Sequence, residues 1–458
     1  MFLYNKRGGV KMLRIGFIQP SSDYLFDPFR GDPFTHLAIL TIIKNAFGNK
    51  VEPLLIDLRG IKREYALFHI PECDIYLHSV YALDYHEQIS IVGCLRKQYP
   101  KSVHVAGGPH VAEFTEECSR FFDSLILGEG EETIVRVIND FLNSRLQHLY
   151  HQTALIDINA YPHWNRKFLP KSSVARKNTM TLRNKPGFEE TSGTTVMFSR
   201  GCPFSCHFCD IQRFKKGTPG IRFRKPEFVT EEIEYLKKDY GVQGINIVDE
   251  IGFPLKKEKA VRHIEAIGKS GIIWRGQCRA DGITPELAKL AFDSGCVALG
   301  IGVESVIQKS LDIINKAANV EEAKKTITAI RSIGIEARIY LIIGLPGEPE
   351  DIVERTWSFI EETKPELVHL SLLTVRPGTE IFRHPEKFGI RWVNTDWRNT
   401  MHMHGRFSDE KIAPTFEYDK EAPWGKSLSS DIIVKNYLEL QGRLKEHGLA
   451  SLPVVPYM

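Results

Sequence analysis

The first third of the chain alternates short apolar runs with helical patterns. Strands are predicted at residues 13–18, 51–56, 75–80, 103–106 and 125–127, and helices at 37–46, 89–95 and 133–142. Strands that alternate with helices at this spacing are typical of a doubly wound, Rossmann-like parallel sheet. Residues 12–142 are therefore predicted to form one α/β domain, with a ligand site beyond the carboxyl ends of its strands.

Residues 191–385 show a second α/β pattern. Strands are predicted at 194–199, 245–248, 274–280, 297–303, 338–343 and 367–374, with helices at 230–239, 256–267, 285–293, 320–333 and 350–363. Six parallel strands connected by helices predict a partial, TIM-like (β/α)6 barrel that is open on one side. In barrels of this type the chemistry lies at the carboxyl ends of the strands.

Two further regions complete the predicted organisation. Residues 143–190 are predicted to be a linker, and the basic stretch 166–185 is predicted to be a solvated face of it. Residues 386–458 are rich in aromatic and His residues, among them His402, His404 and Tyr457. They are expected to close the open side of the barrel and shape a substrate pocket, with plain packing of a C-terminal cap as the alternative.

Composition and charge change this picture little. The chain has 458 residues, of which 42% are hydrophobic and 26% charged, and a net charge of +3. These values are ordinary for a globular protein of two or three domains and give no indication of nucleic-acid binding. No apolar stretch approaches the ~20 residues of a membrane span. Eight cysteines without the pattern of a disulfide framework, together with the absence of a signal-peptide pattern, indicate the reducing cytoplasm.

The most specific feature is a loop of three cysteines directly after the first barrel strand. Cys202, Cys206 and Cys209 form a C-x3-C-x2-C pattern. A [4Fe–4S] cluster normally takes four cysteines, so with three of them one iron keeps an open coordination position. Zinc is the alternative, but structural zinc sites usually show a closed set of four ligands, and only His207 lies nearby. The loop is therefore predicted to hold a cluster that also binds a small molecule.

With Phe208 just before its last cysteine, this loop resembles the signature of the radical S-adenosylmethionine (SAM) enzymes. In that family the open iron chelates the amino and carboxylate groups of SAM. Electron transfer then produces a 5′-deoxyadenosyl radical, which abstracts hydrogen from an inert carbon. The resemblance implies a [4Fe–4S] cluster and SAM as cofactors, and an external electron donor of the flavodoxin or ferredoxin type.

Other barrel motifs extend the resemblance. In the family, three further segments contact SAM. The segment for the SAM ammonium group corresponds to Asp249 and Glu250. The segment for the ribose or methionyl part corresponds to Glu304 and Ser305, and the segment for the adenine to Leu345 and Pro346. A carboxylate can accept a charge-assisted hydrogen bond from the ammonium group. The period of two along the third strand places Arg279 on a polar interior face, which makes it a candidate partner for the SAM carboxylate.

The first domain resembles the N-terminal cobalamin-binding domain of one radical SAM class, through residues 105–110 and 123–133. The cobalamin-binding candidates lie near predicted strand ends and are Ser79, Gly107, Gly108, His110, Gly128, Glu129 and Gly130. The D-x-H-x-x-G motif that supplies an axial His to cobalt is missing, because Ile89 stands where its glycine belongs. The resemblance implies cobalamin bound without His ligation. The alternative is a domain that binds nothing.

These resemblances predict a cobalamin-dependent radical SAM enzyme, most simply a methyltransferase that acts on an unactivated carbon of a small-molecule or lipid-like substrate. No protein general acid or base is required. One alternative keeps both cofactors but catalyses cyclisation, ring rearrangement or oxidation. A second alternative is a non-catalytic cobalamin or Fe–S sensor.

Overall fold

The computed structural model describes residues 12–25, 27–29, 31–183, 185–211, 220–397, 412 and 415–451. Candidate residues His402, His404 and Tyr457 of the C-terminal region lie outside these ranges. The chain divides into two compact units, of which the first ends at Ser173 and the second begins at Val174.

The first unit is built on a six-stranded parallel sheet with the order β2-β1-β3-β4-β5-β6. Its strands are β1 (Leu13–Gln19), β2 (Val51–Asp57), β3 (Ile75–Ser79), β4 (Val103–Gly107), β5 (Ser124–Leu127) and β6 (Leu149–His151), and its helices are α1 (Phe34–Phe47), α2 (Tyr85–Gln98), α3 (Pro109–Glu113), α4 (Thr115–Cys118) and α5 (Gly130–Leu142). Helix α5 buries Ile134, Val137 and Ile138, which follow the helical period. They pack in a core cluster with residues of β1 and α1. The predicted doubly wound parallel sheet is confirmed.

Residues 143–190, predicted to be a linker, are largely packed. A short helix, α6 (Lys171–Val174), spans the division between the units, and β6 adds an edge strand to the first sheet. Arg166 is 1% exposed and forms an ion pair with Asp32. In the second unit, Met180 and Leu182 are buried in a core cluster. The predicted solvated face fits Lys167, Lys171 and Lys177, which are exposed, but it is wrong for Arg166, whose charge has a buried partner.

The second unit contains a six-stranded parallel sheet with the order β7-β10-β11-β12-β13-β14. The strands of the unit are β7 (Gly193–Val196), β8 (Ser199–Arg200), β9 (Arg222–Phe223), β10 (Gly244–Ile247), β11 (Ile273–Arg279), β12 (Cys296–Glu304), β13 (Glu336–Ile343) and β14 (Leu367–Leu372). Strands β8 and β9 form a separate antiparallel pair. Each sheet strand lies beside the next one along the chain, as in a (β/α) barrel, and β7 and β14 are the two edges. The predicted partial barrel is confirmed.

Helices cover this sheet: α7 (Pro226–Tyr240), α8 (Lys257–Gly268), α9 (Pro285–Asp293), α10 (Gln308–Ile313), α11 (Val320–Ile333), α12 (Ile352–Thr363) and α13 (Glu380–Arg383). Helix α11 shows how the sequence determines where such a helix begins and which face it buries. Asn319 caps its N-terminus by accepting hydrogen bonds from two backbone N–H groups, and its buried residues Ala323, Ile327 and Ile330 lie on one face.

The C-terminal region adds β15 (Ile390–Val393), β16 (Phe416–Tyr418), β17 (Glu421–Ala422), β18 (Gly425–Lys426) and α14 (Ser430–Glu446). Ala450 bridges to Val368 of the edge strand β14. The end of the described chain therefore protects that edge from pairing elsewhere. Within the described ranges, no helix is both long enough and apolar enough to cross a membrane.

Candidate active site

The three-cysteine loop follows strand β7, at the carboxyl end of the barrel sheet. Cys206 is buried, and Cys202 and Cys209 are half-buried. The loop is held by residues that follow α10. The backbone N–H of His207 donates to the carbonyl of Ile314 at 2.8 Å, and Nδ2 of Asn315 donates to the carbonyl of Ser205 at 3.0 Å. The loop is thus fixed by the chain beyond β12 as well as by its own strand.

The donor chemistry of this loop fits an iron–sulfur cluster, since it supplies three cysteine thiols within eight residues, none of them in a disulfide. Burial raises the pKa of the Cys209 thiol to about 11, and Arg376 acts in the opposite direction. Arg376 also lies 3.5 Å from Oδ2 of Asp210. Across the described ranges, no three His, Cys, Asp or Glu side chains are arranged to hold a metal ion. The ligand set is therefore assigned from the motif and not from converging thiols.

The two acidic residues after β10 differ in their surroundings. Asp249 is fully buried, and its Oδ1 accepts a hydrogen bond from the backbone N–H of Phe198 at 2.7 Å. Burial raises the pKa of Asp249 to about 8. Glu250 is only half-buried, and its Oε2, like Oδ2 of Asp249, has no hydrogen-bond partner among the described residues. Asp249 thus fixes, through Oδ1, the strand that leads into the cysteine loop, and the more exposed Glu250 is the better candidate for an ammonium group.

Arg279, at the end of β11, is occupied by contacts within the protein. Its Nε and Nη2 bond Asp281 at 2.8 and 2.9 Å, and Nη2 also donates to the carbonyls of Lys316 and Ala317. The guanidinium carbon lies 3.6 Å from the centroid of the Phe204 ring in the cysteine loop. These contacts support a positioning role, and they do not support the predicted contact between Arg279 and a SAM carboxylate.

Strands β12 and β13 end in the two remaining barrel motifs. Glu304 forms an ion pair with Lys316 at 2.7 Å, and the Oγ of Ser305 accepts from the backbone N–H of Ile307 at 3.2 Å. After β13, Leu345 and Pro346 are buried in a turn. The turn is closed by Glu348, which accepts from the backbone N–H of Gly344 at 2.8 Å, and by Tyr418, which donates to the Gly344 carbonyl. Any adenine contact of this turn would involve mainly its backbone.

In the first unit, most cobalamin candidates lie at the carboxyl edge of the sheet. Ser79 ends β3, Gly107 ends β4, and Gly128 follows β5. Gly108 and Gly128 have φ values of 100° and 93°, which favour glycine. A Cβ on Gly108 would lie 2.9 Å from the backbone of Val80, so this turn is tight against its own sheet. Gly130 begins α5.

Two polar candidates of this edge are used within the fold. His110 is 1% exposed, and the centroid of its ring lies 4.3 Å from the centroid of the Tyr85 ring. The Oε2 of Glu129 accepts a hydrogen bond from the backbone N–H of Ile156 at 2.9 Å. The structure therefore gives these two residues a packing and a loop-holding role, and leaves the glycine turns as the surface that a ligand could approach, since Ser79 is buried as well.

The model of the radical SAM superfamily matches residues 196–360. These residues form a radical SAM domain. The matched segment begins in β7, includes the cysteine loop and extends into α12, so it contains the candidate SAM motifs described above. The protein is a radical SAM enzyme, and a [4Fe–4S] cluster and SAM are the cofactors of such enzymes.

Several relatives of this radical SAM enzyme are named methyltransferases. An uncharacterized methyltransferase of Pyrococcus horikoshii is 27% identical over 370 residues, which are 77% of this chain and 78% of the relative. A bacteriochlorophyllide d C-12(1)-methyltransferase of Chlorobaculum tepidum is 25% identical over 316 residues, 67% of this chain and 64% of the relative. An anaerobic magnesium-protoporphyrin IX monomethyl ester cyclase of Cereibacter sphaeroides is 26% identical over 311 residues, 62% of this chain and less than half (48%) of the cyclase.

The fold is shared with a solved methyltransferase structure. The radical SAM methyltransferase TsrM of Kitasatospora setae, with cobalamin and a [4Fe–4S] cluster bound, has a TM-score of 0.67 at 14% identity, over 98% of this chain and 92% of TsrM. At this identity the likeness concerns the fold alone. The resemblance to radical SAM enzymes that carry an N-terminal α/β domain is confirmed at that level.

Sequence reasoning missed two features of the radical SAM barrel. Lys316 and the segment around it contact three of the predicted motifs, although no motif includes them. Asp249 has an internal role that an adjacent pair of acidic residues could not reveal. The signal for Lys316 was an Asn-Lys pair between the predicted strand 297–303 and the predicted helix 320–333, and such a pair is common on its own.

Proposed function

We propose that this radical SAM enzyme is a cobalamin-dependent methyltransferase that acts on an unactivated carbon. The observation that carries the proposal is the presence, in one chain, of a barrel with the cysteine loop at its carboxyl edge and of a parallel α/β unit with glycine turns at its own carboxyl edge. Methyltransferases among the relatives and the TsrM-like fold support it.

The residues of the chain divide into binding roles under this proposal. Cys202, Cys206 and Cys209 hold the cluster, Glu250 accepts from the SAM ammonium group, and Glu304 accepts from the SAM ribose. The glycine turns of the first unit contact cobalamin. When bound, the cluster would supply the electron that cleaves one SAM to methionine and a 5′-deoxyadenosyl radical, which takes hydrogen from the substrate carbon. Cobalamin would supply the methyl group, and a second SAM would replace it with release of S-adenosylhomocysteine. The chain itself binds, orients and shields, and no general base is assigned.

The proposal includes a small-molecule substrate, and a tetrapyrrole is the first class to test because relatives of this chain are named for such substrates. It also includes a flavodoxin- or ferredoxin-type electron donor and a cytoplasmic location. Eight free cysteines, three of them in an oxygen-sensitive site, fit a reducing compartment.

Anaerobic reconstitution tests the enzymatic part. The full-length protein, loaded with iron, sulfide and methylcobalamin and reduced with dithionite, should convert SAM to 5′-deoxyadenosine. With an accepted tetrapyrrole such as bacteriochlorophyllide d, S-adenosylhomocysteine should accumulate together with a methylated product, measured by mass spectrometry. Deoxyadenosine and a changed tetrapyrrole without S-adenosylhomocysteine would instead favour cyclisation or oxidation. Absence of deoxyadenosine from a protein with a full cluster would contradict radical chemistry and leave the sensor alternative.

Cobalamin binding is tested separately from catalysis. The full-length protein, incubated with hydroxocobalamin and passed through a desalting column, should retain about one corrinoid per chain, visible by its absorbance, since the fold resembles a cobalamin-bound enzyme. The same column run without protein is the control. A protein without corrinoid absorbance would show that the first unit retains no cobalamin, whatever the activity of the barrel.

A further inference from the structure

Strand β12 is irregular just before the predicted ribose-binding carboxylate. Gly302 pairs with Tyr340, but Glu304 pairs with Leu341, so the register shifts between them. Glu304 also has a φ of 65°, in the left-handed region that residues with a side chain seldom adopt. Bulges and left-handed residues of this kind change the direction of a side chain and are frequent beside active sites. The orientation of Glu304 is therefore set by an unusual backbone that the fold maintains.

The partner of Glu304 is Lys316, which lies on the chain after α10. The Nζ of Lys316 is 2.7 Å from Oε1 of Glu304, and the two side chains are only 8% and 12% exposed. Nζ also lies 6.0 Å from the centroid of the Phe208 ring, beside the last cysteine of the loop. In a pair this well shielded from water, the loss of one partner leaves an uncompensated buried charge.

Gly302 makes room for this ion pair. A Cβ at position 302 would lie 2.7 Å from Oε1 of Glu304 and 3.0 Å from Nζ of Lys316. Gly302 does not have a positive φ, so alanine fits its backbone but not the space beside it. A single methyl group at this position would displace the pair without removing any charge.

The segment 313–317, here called the brace, connects the pair to the rest of the site. Asn315 and Ala317 both have left-handed φ values, of 51° and 48°. Asn315 donates to the cysteine loop, and the carbonyls of Lys316 and Ala317 accept from Arg279 of β11. The brace therefore fixes Lys316 relative to the cysteine loop and to two strand ends at once.

We propose that Lys316 is a positioning residue that holds the Glu304 carboxylate in the orientation in which it accepts hydrogen bonds from the SAM ribose. Lys316 contacts Oε1 and leaves Oε2 for the ribose hydroxyl groups, and it acts through Glu304 without touching SAM. This inference rests on the proposed function, because Glu304 is assigned to SAM by its motif.

The test measures SAM affinity, iron content and melting temperature of the full-length, reconstituted protein, with equilibrium dialysis of labelled SAM. Lys316→Met should weaken SAM binding about tenfold, a factor that equals about 1.4 kcal/mol, and should retain the iron of the wild type. Lys316→Arg should recover most of the affinity. Gly302→Ala, which keeps every charge, should also weaken binding because it displaces the pair.

A control and a double variant separate positioning from general damage. Lys324→Met removes a lysine that pairs with Glu321 and Glu362 on the outer helices, and it should leave SAM affinity unchanged. Since Lys316 acts through Glu304, the variant Glu304→Gln/Lys316→Met should bind SAM within about twofold of the weaker single variant.

Several outcomes would overturn the inference. Unchanged SAM affinity in Lys316→Met or in Gly302→Ala would do so, as would additive effects in the double variant. Parallel loss of iron and SAM in Lys316→Met would show that Lys316 only holds the cysteine loop. Failure of the proposed methyl transfer is distinguishable, because it is measured from the reaction products, whereas the inference requires only that the wild-type protein binds SAM. A wild-type protein that does not bind SAM would overturn the inference as well.

Discussion

Cys206→Ala should abolish 5′-deoxyadenosine formation and reduce bound iron to the level of an unreconstituted sample. Cys206 is the central cysteine of the loop and is already buried at the carboxyl end of the barrel. With two thiolates left, two irons of a cluster would lack a protein ligand, and the cluster would not survive purification. Iron and sulfide analysis, together with chromatography of the SAM products, measures both effects.

The matched control is Cys278→Ala, which removes another buried thiol of the same unit. Cys278 lies within β11, and burial raises the pKa of its thiol to about 12. A thiol so reluctant to ionise behaves as a small apolar side chain. This variant should retain its iron and its deoxyadenosine formation, with a lower melting temperature. If Cys206→Ala kept a full complement of iron, or if Cys278→Ala lost it, the assignment of the cysteine loop would be wrong.

The barrel could be predicted closely because its buried parallel strands are apolar runs separated by amphipathic helices. The fourth strand was predicted at 297–303 and is Cys296–Glu304, and the fifth was predicted at 338–343 and is Glu336–Ile343. The motifs could be placed for the same reason, since the carboxyl ends of successive parallel strands meet at one edge.

Side-chain orientation and partner choice could not be predicted. Alternation along β12 does not reveal the bulge that directs Glu304, and nothing in the sequence pairs it with Lys316, twelve residues away. The buried Arg166 shows the same limit. Basic residues in a run are normally solvated, but Arg166 forms a buried ion pair with Asp32, which lies 134 residues earlier in the chain. Long-range ion pairs of this kind depend on the fold and leave no local pattern.

Asp249, the first of the two acidic residues after β10, should give the largest effect of pH on the free energy of unfolding. Burial raises the pKa of Asp249 to about 8, from the ordinary value of 3.8 for an aspartic acid side chain. Between these values the folded protein holds a proton that the unfolded chain releases, so the contribution of this group to stability falls as pH rises from about 4 to about 8. The slope over that interval is about 1.4 kcal/mol per pH unit.

Asp249→Asn removes this titration but keeps an oxygen that can accept from the backbone N–H of Phe198. The difference in unfolding free energy between this variant and the wild type should therefore increase in favour of the variant from pH 5 to pH 8, as measured by urea denaturation. Glu250→Gln is the control and should show a smaller change, because Glu250 is only half-buried.

In SAM binding the order of the two variants should reverse. Glu250→Gln should weaken SAM affinity more than Asp249→Asn. Glu250 is the proposed partner of the SAM ammonium group, whereas Asp249 holds the strand before the cysteine loop through its bond to Phe198. A flat pH difference for Asp249→Asn would show that its carboxyl is ionised in the folded protein. A large loss of SAM affinity in that variant would return it to the ammonium site.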